Sequence, residues 1–152
     1  MTSKNSLNIK NIENLLEKEY NITNINSIIY KQTLSSITSQ NKELSEIPNS
    51  NLFIFRPEYF IIYKNNNITE NIIINFSDTS IGLKKLSYAQ LQSQIANSSK
   101  SIYISKKGLS HDLYNTIFSN PGLENDLLSY NGKKIDLFRF NEEDLAFYRE
   151  II

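Results

Sequence analysis

The sequence predicts an α+β protein, a single domain over residues 1–152 in which helices pack on a mostly antiparallel or mixed sheet of about five strands. Residues 52–76 form the densest apolar segment and are rich in the β-branched and aromatic residues typical of strands. Segments with helical apolar periodicity lie on both sides of it in the chain. A chain of this length buries roughly two-thirds of its unfolded surface, so the core needs no disulfide or metal to support it.

The central segment divides into three apolar runs, at residues 53–55, 59–63 and 72–76. Pro57 cannot donate a ladder hydrogen bond, so the chain must turn, bulge or lie at a sheet edge between the first two runs. Asparagines at 65–67 separate the second run from the third and favour a hairpin loop, because asparagine tolerates positive φ. These two runs do not alternate polar and apolar residues, which predicts a strand pair covered by helices on both faces.

The N-terminal third predicts two helices after a frayed start at residues 1–8. From residue 9 to residue 20 the apolar positions follow helical spacing, with charged residues on the other side. Residues 21–26 break this helix, and residues 27–39 are expected to form a second one despite their serine and threonine content. Residues 41–51 are expected to form the loop that leads into the central hairpin.

The next part of the chain predicts a helix, a short strand and another helix. Ser87 and Gln90 match a capping box, which predicts a helix over residues 88–97 with Leu91 and Ile95 facing inward. Residues 101–105 alternate with period two, which predicts a short strand. Ser110 is positioned as the N-cap of the following helix.

The last thirty residues predict a hairpin followed by a helix. Asn131-Gly132 is a strong signal for a type I′ turn between residues 127–130 and 133–140. Asn141 would cap the last helix, whose first turn carries three acidic residues that suit the positive end of the helix dipole.

Composition restricts the classes of protein that fit the chain. Sixteen basic and sixteen acidic residues cancel, so no whole-molecule field favours nucleic acid or anionic lipid. Cysteine is absent, which excludes thiol catalysis, Cys-ligated zinc and a disulfide framework. The N-terminus lacks an apolar segment typical of a secretion signal, and the apolar runs are too short to span a membrane. We therefore expect a cytoplasmic protein that is not membrane-bound.

Three adjacent residues carry the side-chain types of a hydrolase triad, Ser110-His111-Asp112. Neighbours in sequence do not face one another across a site, because triad geometry comes from distant segments. A helix start explains the serine as a cap and the aspartate as a first-turn acid. His111 is the only histidine, and we expect it to be structural or exposed to solvent.

Acidic residues give no better catalytic or metal-binding motif. A PD-(D/E)xK nuclease would need a lysine two positions after its second carboxylate, but Ile72 occupies that position after Glu70. Glu124 and Asp126 flank Asn125 before the second hairpin and could hold a magnesium ion. No P-loop, dinucleotide fingerprint, H-E-x-x-H or G-x-S-x-G pattern occurs. We predict no catalytic residue, no metal and no cofactor.

One electrostatic signal does stand out, since residues 79–111 contain no carboxylate. This segment and the following hairpin supply the residues that we predict to contact a partner: Lys84, Lys85, Tyr88, Tyr103, Lys106, Lys107, Lys133 and Lys134. Such residues could contact an acidic protein, or bind phosphates while the tyrosines stack on bases. A solvated helix face with two turn tips is the simplest alternative.

Two functional hypotheses follow. The first is a non-enzymatic protein-binding module, such as an immunity or antitoxin-type protein that neutralises a toxin partner. It is favoured by the absence of catalytic motifs, by the aromatic content and by a bias towards Asn, Ile, Ser and Lys that is often seen in mobile elements. The second is a nucleic-acid-binding protein or small nuclease that uses the lysine-rich segment 84–107.

Overall fold

The computed structural model describes residues 7–40, Leu44 and residues 55–150, which form five helices and a mixed sheet of seven strands. The predicted α+β class is confirmed, with seven strands where about five were expected. The elements are α1 Ile9–Tyr20, β1 Ile25–Tyr30, α2 Leu34–Gln40, β2 Tyr59–Asn65, β3 Ile68–Ser77, α3 Leu83–Ala96, β4 Lys100–Ser105, α4 His111–Ser119, α5 Leu123–Leu127, β5 Ser129–Tyr130, β6 Lys133–Asn141 and β7 Ala146–Arg149. No helix within these ranges is long and apolar enough to cross a membrane.

The sheet has the order β1-β2-β3-β4-β6, and both β5 and β7 pair with the outer edge of β6. Strand β2 runs antiparallel to both β1 and β3, whereas β3, β4 and β6 run parallel. Parallel neighbours need crossover connections, which α3 supplies between β3 and β4, and α4 with α5 between β4 and β6. The carboxyl ends of the three parallel strands therefore lie along one end of the sheet.

Both faces of the sheet are covered, as the non-alternating apolar runs predict. Helix α1 packs Ile12, Leu15 and Leu16 on one face, against alternate residues of β2, β3, β4 and β6. Helices α2, α3 and α4 cover the other face. All of residues 59–63 are consequently buried, because successive side chains enter opposite cores.

Both predicted hairpin turns are confirmed. Asn66 and Asn67 have φ of 53° and 69°, and Asn131 and Gly132 have φ of 48° and 77°. A type I′ turn needs positive φ at both central residues, and asparagine and glycine adopt it at low cost.

The N-terminal region departs from the prediction at one point. Helix α1 is confirmed, with a capping box in which the Asn8 and Asn11 side chains accept from each other's backbone N–H. Residues 25–30, however, form strand β1, and only residues 34–40 are helical. The isoleucines of this segment fit the apolar stripe of a helix, but they also fit a strand. Pairing with β2, which is distant in the chain, stabilises the strand. The predictions for residues 1–6, 41–43 and 45–54 lie outside the described residues; Phe55 is buried but not in a strand.

Helix α3 begins at Leu83 and not at residue 88 as predicted. Its N-cap is Gly82, and Ser87 lies inside the helix without a capping role. The helix is longer because Leu86 and Ala89 continue its buried face towards the N-terminus. Ser110 is confirmed as the N-cap of α4, since its Oγ accepts from the Leu113 N–H at 3.1 Å.

The predicted C-terminal helix is wrong, because residues 142–145 form a turn that is followed by strand β7. The Asn141 side chain accepts from the Glu143 N–H, and the Asp144 side chain accepts from the Ala146 N–H. Such local bonds compete with helix formation. Leu145 has a φ of 54°, which ends the turn and allows Phe147 to stack on Phe140.

Candidate partner-binding surface

The lysines predicted to form a basic surface lie at opposite ends of the sheet. Lys106 and Lys107 follow the carboxyl end of β4, whereas Lys133 and Lys134 begin β6. Because β4 and β6 are parallel, with Ser101 beside Ile135, the start of β6 lies at the amino end of β4. A strand of this length spans about 17 Å, so the structure separates the two lysine pairs.

Three of the lysines are already engaged within the protein. The Lys106 ammonium lies 3.0 Å from Asp78 and 3.2 Å from Glu142, and its side chain is only 19% exposed. The hydrogen bond to Asp78 raises the pKa of Lys106, so the group stays charged but is neutralised by its neighbours. Lys85 donates to the side chains and backbone of residues 77–80, and Lys133 donates to a backbone carbonyl.

The remaining three lysines are exposed and form no ion pair with a described residue: Lys84, Lys107 and Lys134. Lys84 lies in the first turn of α3, and Lys107 follows β4, so both belong to the carboxyl end of the parallel strands. Lys134 lies at the other end. Phosphate binding was predicted for one continuous basic surface, but the structure places these lysines at two ends of the sheet. Phosphate binding stays a prediction.

The two tyrosines predicted as partner contacts have different environments. Tyr103 is 7% exposed and packs between α3 and α4, beside Leu86 and Leu113, so the expectation that it is exposed is wrong. Burial also raises the pKa of Tyr103. Tyr88 is 43% exposed on α3, with its ring centroid 5.0 Å from that of Phe55.

The outer face of α3 carries apolar residues that sequence reasoning missed as a group. Leu83 and Leu91 are 49% and 48% exposed, and Tyr88 lies between them along the helix. The opposite face of the same helix is buried against the sheet. The prediction that Leu91 faces inward is therefore wrong, because Gln92 and Ser93 occupy the covered side of the helix and Leu91 lies outside. We call Leu83, Lys84, Tyr88 and Leu91 the α3 outer face.

Helix α4 presents a second exposed apolar pair. The rings of Tyr114 and Phe118 lie 4.5 Å apart, and these residues are 43% and 63% exposed. His111 is exposed at the start of the same helix. Since the Ser110 hydroxyl serves as the helix cap, Ser110, His111 and Asp112 form a helix start, as the sequence predicts.

A partly buried polar network at the other side of the molecule joins α1 to the C-terminal strands. The Tyr20 hydroxyl donates to Asp136 at 2.5 Å, and Arg149 contacts both Asp136 and Glu19. Burial, and then the hydrogen bond to Asp136, raise the pKa of Tyr20. Sequence reasoning could not find this network, because its members come from three distant elements. Its groups satisfy one another, which indicates a structural role.

The described surface offers little that resembles a reactive cleft. A polar cavity of about 270 Å³ beside the end of α1 is lined by Tyr20, Tyr63, Lys64, Lys100 and neighbouring loop residues, with no carboxylate or histidine among them. Within the described ranges, no group of three or more His, Asp or Glu side chains could hold a metal ion.

Comparison of the chain with models of protein families, with curated proteins and with solved structures finds no match in any of the three.

Proposed function

We propose that this protein is a non-enzymatic protein-binding module of the immunity or antitoxin type, which neutralises a toxin partner by binding it on the α3 outer face. The observation that carries the proposal is the half-exposure of Leu83 and Leu91 on a helix whose opposite face is buried. Apolar side chains presented together on a surface are typical of protein–protein contacts.

The energetic argument rests on apolar area. Burying a whole leucine side chain is worth roughly 1.5–3 kcal/mol, so covering the exposed half of each leucine adds about 1 kcal/mol. Tyr88 adds an aromatic ring with a hydroxyl group, a combination enriched among residues that dominate binding energy. The α3 outer face could thus form the apolar centre of an interface.

Charge supports an acidic partner. Lys84 lies within the α3 outer face, Lys107 lies at the same end of the sheet, and residues 79–111 contribute no carboxylate. Complementary charge mainly raises the association rate and fixes orientation. The partner surface is therefore expected to combine an apolar centre with carboxylates at its rim.

The non-enzymatic part of the proposal rests on how the chain uses its reactive residues. The only histidine is exposed at a helix start, the adjacent serine is a cap, and cysteine is absent. The antitoxin class is supported by the mobile-element bias of the composition.

The test is affinity capture from the cells that encode the protein, compared between matched variants. Leu83→Ser combined with Leu91→Ser removes the apolar centre of the α3 outer face. Ile68→Ser is the control, because Ile68 is 64% exposed at the tip of the β2–β3 hairpin, at the end of the sheet opposite to the start of α3. We expect one partner to be retained by the wild type and by the control and lost from the double variant, with all three proteins equally folded.

Two results would contradict the proposal. One is a partner retained equally by the double variant, which would place the contact elsewhere. The other is the absence of any specific protein partner. If the captured partner is a toxin, adding the purified protein should abolish its activity, and the double variant should not.

A further inference from the structure

Strand β1 is the first strand of the sheet. Among the described residues it pairs with β2 alone, so its other edge is open within that part of the chain. The other edge is protected, because β5 and β7 pair with β6 near its two ends. Open edges present unpaired backbone groups, and proteins usually protect them with charged residues, proline or a bulge.

The protection of β1 is incomplete. Its sequence, INSIIY, contains no charged residue and no proline. A register shift between Ile25 and Ser27 disturbs only the beginning of the strand. From Ser27 to Tyr30 the strand is regular, with residues partly exposed on both faces.

The backbone groups that point away from the sheet can be identified. The Lys31 N–H donates to the Glu58 carbonyl at 3.0 Å, so these residues occupy a hydrogen-bonded position of the antiparallel ladder. Bonded pairs alternate along such a ladder, which makes Ile29 with Phe60 the next one. Ile28 and Tyr30 therefore direct their N–H and C=O groups outward.

An apolar hollow lies beside this edge. It has a volume of about 470 Å³ and lies between β1 and the start of α1, where it is lined by Leu7, Ile9, Tyr30 and Tyr59, with Asn8 and Lys10 as its polar members. Ile9 and Tyr30 are 44% and 49% exposed. A strand added to β1 would place alternate side chains over the hollow, which is how strand addition gains specificity.

We propose that the occupant is a second copy of this chain, paired antiparallel through β1 about a two-fold axis. Ile28 of each copy then faces Tyr30 of the other as a bonded pair, and the two Ile29 residues meet on the axis. The strand suits its own copy because this register brings no like charges opposite each other within β1, and the chain as a whole has no net charge. The two sheets become one continuous sheet, and each Tyr30 helps to cover the hollow of the other copy.

The experiment is sedimentation equilibrium from about 1 μM to about 500 μM, a range that covers weak dimers. We expect the wild-type mass to rise from 17.6 kDa towards twice that value. Tyr30→Pro removes the outward N–H but no hydrogen bond to β2, and Tyr30→Ala removes the ring but keeps that N–H. The proline variant should dimerise roughly tenfold or more weakly than the alanine variant, since each copy loses a hydrogen bond.

Three outcomes would overturn the dimer: a monomer throughout the concentration range, a dimer that Tyr30→Pro does not weaken, or equal weakening by proline and alanine. If the proline variant unfolds, amide exchange in the wild type decides instead. The Ile28 and Tyr30 amides should exchange more slowly at dimer concentrations than at monomer concentrations, and unchanged rates would refute the pairing. Leu83→Ser with Leu91→Ser should leave the dimer intact, which keeps this test separate from that of the α3 outer face.

Discussion

The turn at Leu145 gives a sharp test of the C-terminal structure, where the structure and the sequence pattern disagree. Leu145 has a φ of 54°, in the left-handed region, and 41% of its side chain is exposed. Leu145→Gly and Leu145→Ala both remove the leucine side chain beyond Cβ. Their difference in stability therefore reports mainly the backbone conformation at this position.

The sign of that difference depends on the local structure. In the left-handed region a residue with a Cβ is less stable than glycine by roughly 1 kcal/mol. In a helix, glycine is less stable than alanine by about 1 kcal/mol. The structure therefore predicts that Leu145→Gly is more stable than Leu145→Ala by about 1 kcal/mol, and a C-terminal helix predicts the reverse.

Urea unfolding of the two variants measures the difference, and thermal melting should separate them by about 2–4 °C in a chain of this size. An alanine variant more stable than the glycine variant would refute the turn and β7. The wild type, which keeps its partly buried leucine, serves as the reference for both.

Three further predictions follow from described contacts. Lys106→Met should destabilise the protein by about 1 kcal/mol or less, since the carboxylates that contact Lys106 are partly exposed. Folding raises the pKa of Lys106, so the ion pairs stabilise the protein below about pH 10 and lose that effect above it. Urea titrations should therefore show a difference between the variant and the wild type up to about pH 10 and none at higher pH. Tyr20→Phe removes the hydroxyl donor to Asp136 and should cost about 1–2 kcal/mol in urea unfolding at pH 7; no change would exclude a stabilising role for the network. For the nucleic-acid hypothesis, the wild type should pass through DNA and RNA columns at low salt, whereas retention that is lost with salt and in Lys84→Ala with Lys107→Ala would favour it.

The parts of the fold that local chemistry determines could be predicted from the sequence. The hairpin turns at Asn66 and Asn131 follow from residues that tolerate positive φ. The N-cap at Ser110 and the apolar stripe of α1 are determined by residues within one or two helical turns of each other. In each case the stabilising contacts lie close along the chain.

The errors arise where contacts between distant residues decide the structure. Residues 27–30 fit a helix locally but pair with β2 as part of a strand. At the C-terminus, the side chains of Asn141 and Asp144 bond to nearby backbone N–H groups, which a capping pattern does not distinguish from a helix start.

The candidate site could be predicted only in part for the same reason. Lys84 and Tyr88 lie on the exposed side of α3, but the alternation in β4 could not reveal that Tyr103 faces the core. The separation of Lys106 from Lys133 depends on the parallel pairing of β4 with β6, which no local pattern encodes. Leu83 lies before the predicted start of the helix, and Leu91 is exposed where the sequence predicts it to face inward, because the covered side of α3 depends on where the sheet lies.

The proposed function depends most on the claim that a protein partner covers the α3 outer face. Photocrosslinking in the cells that encode the protein tests this directly, with benzoylphenylalanine in place of Leu91 and, as a control, in place of Ile68. A single protein adduct from the Leu91 position and none from the Ile68 position is the predicted result. An adduct from the Ile68 position alone, or from neither, would contradict the claim.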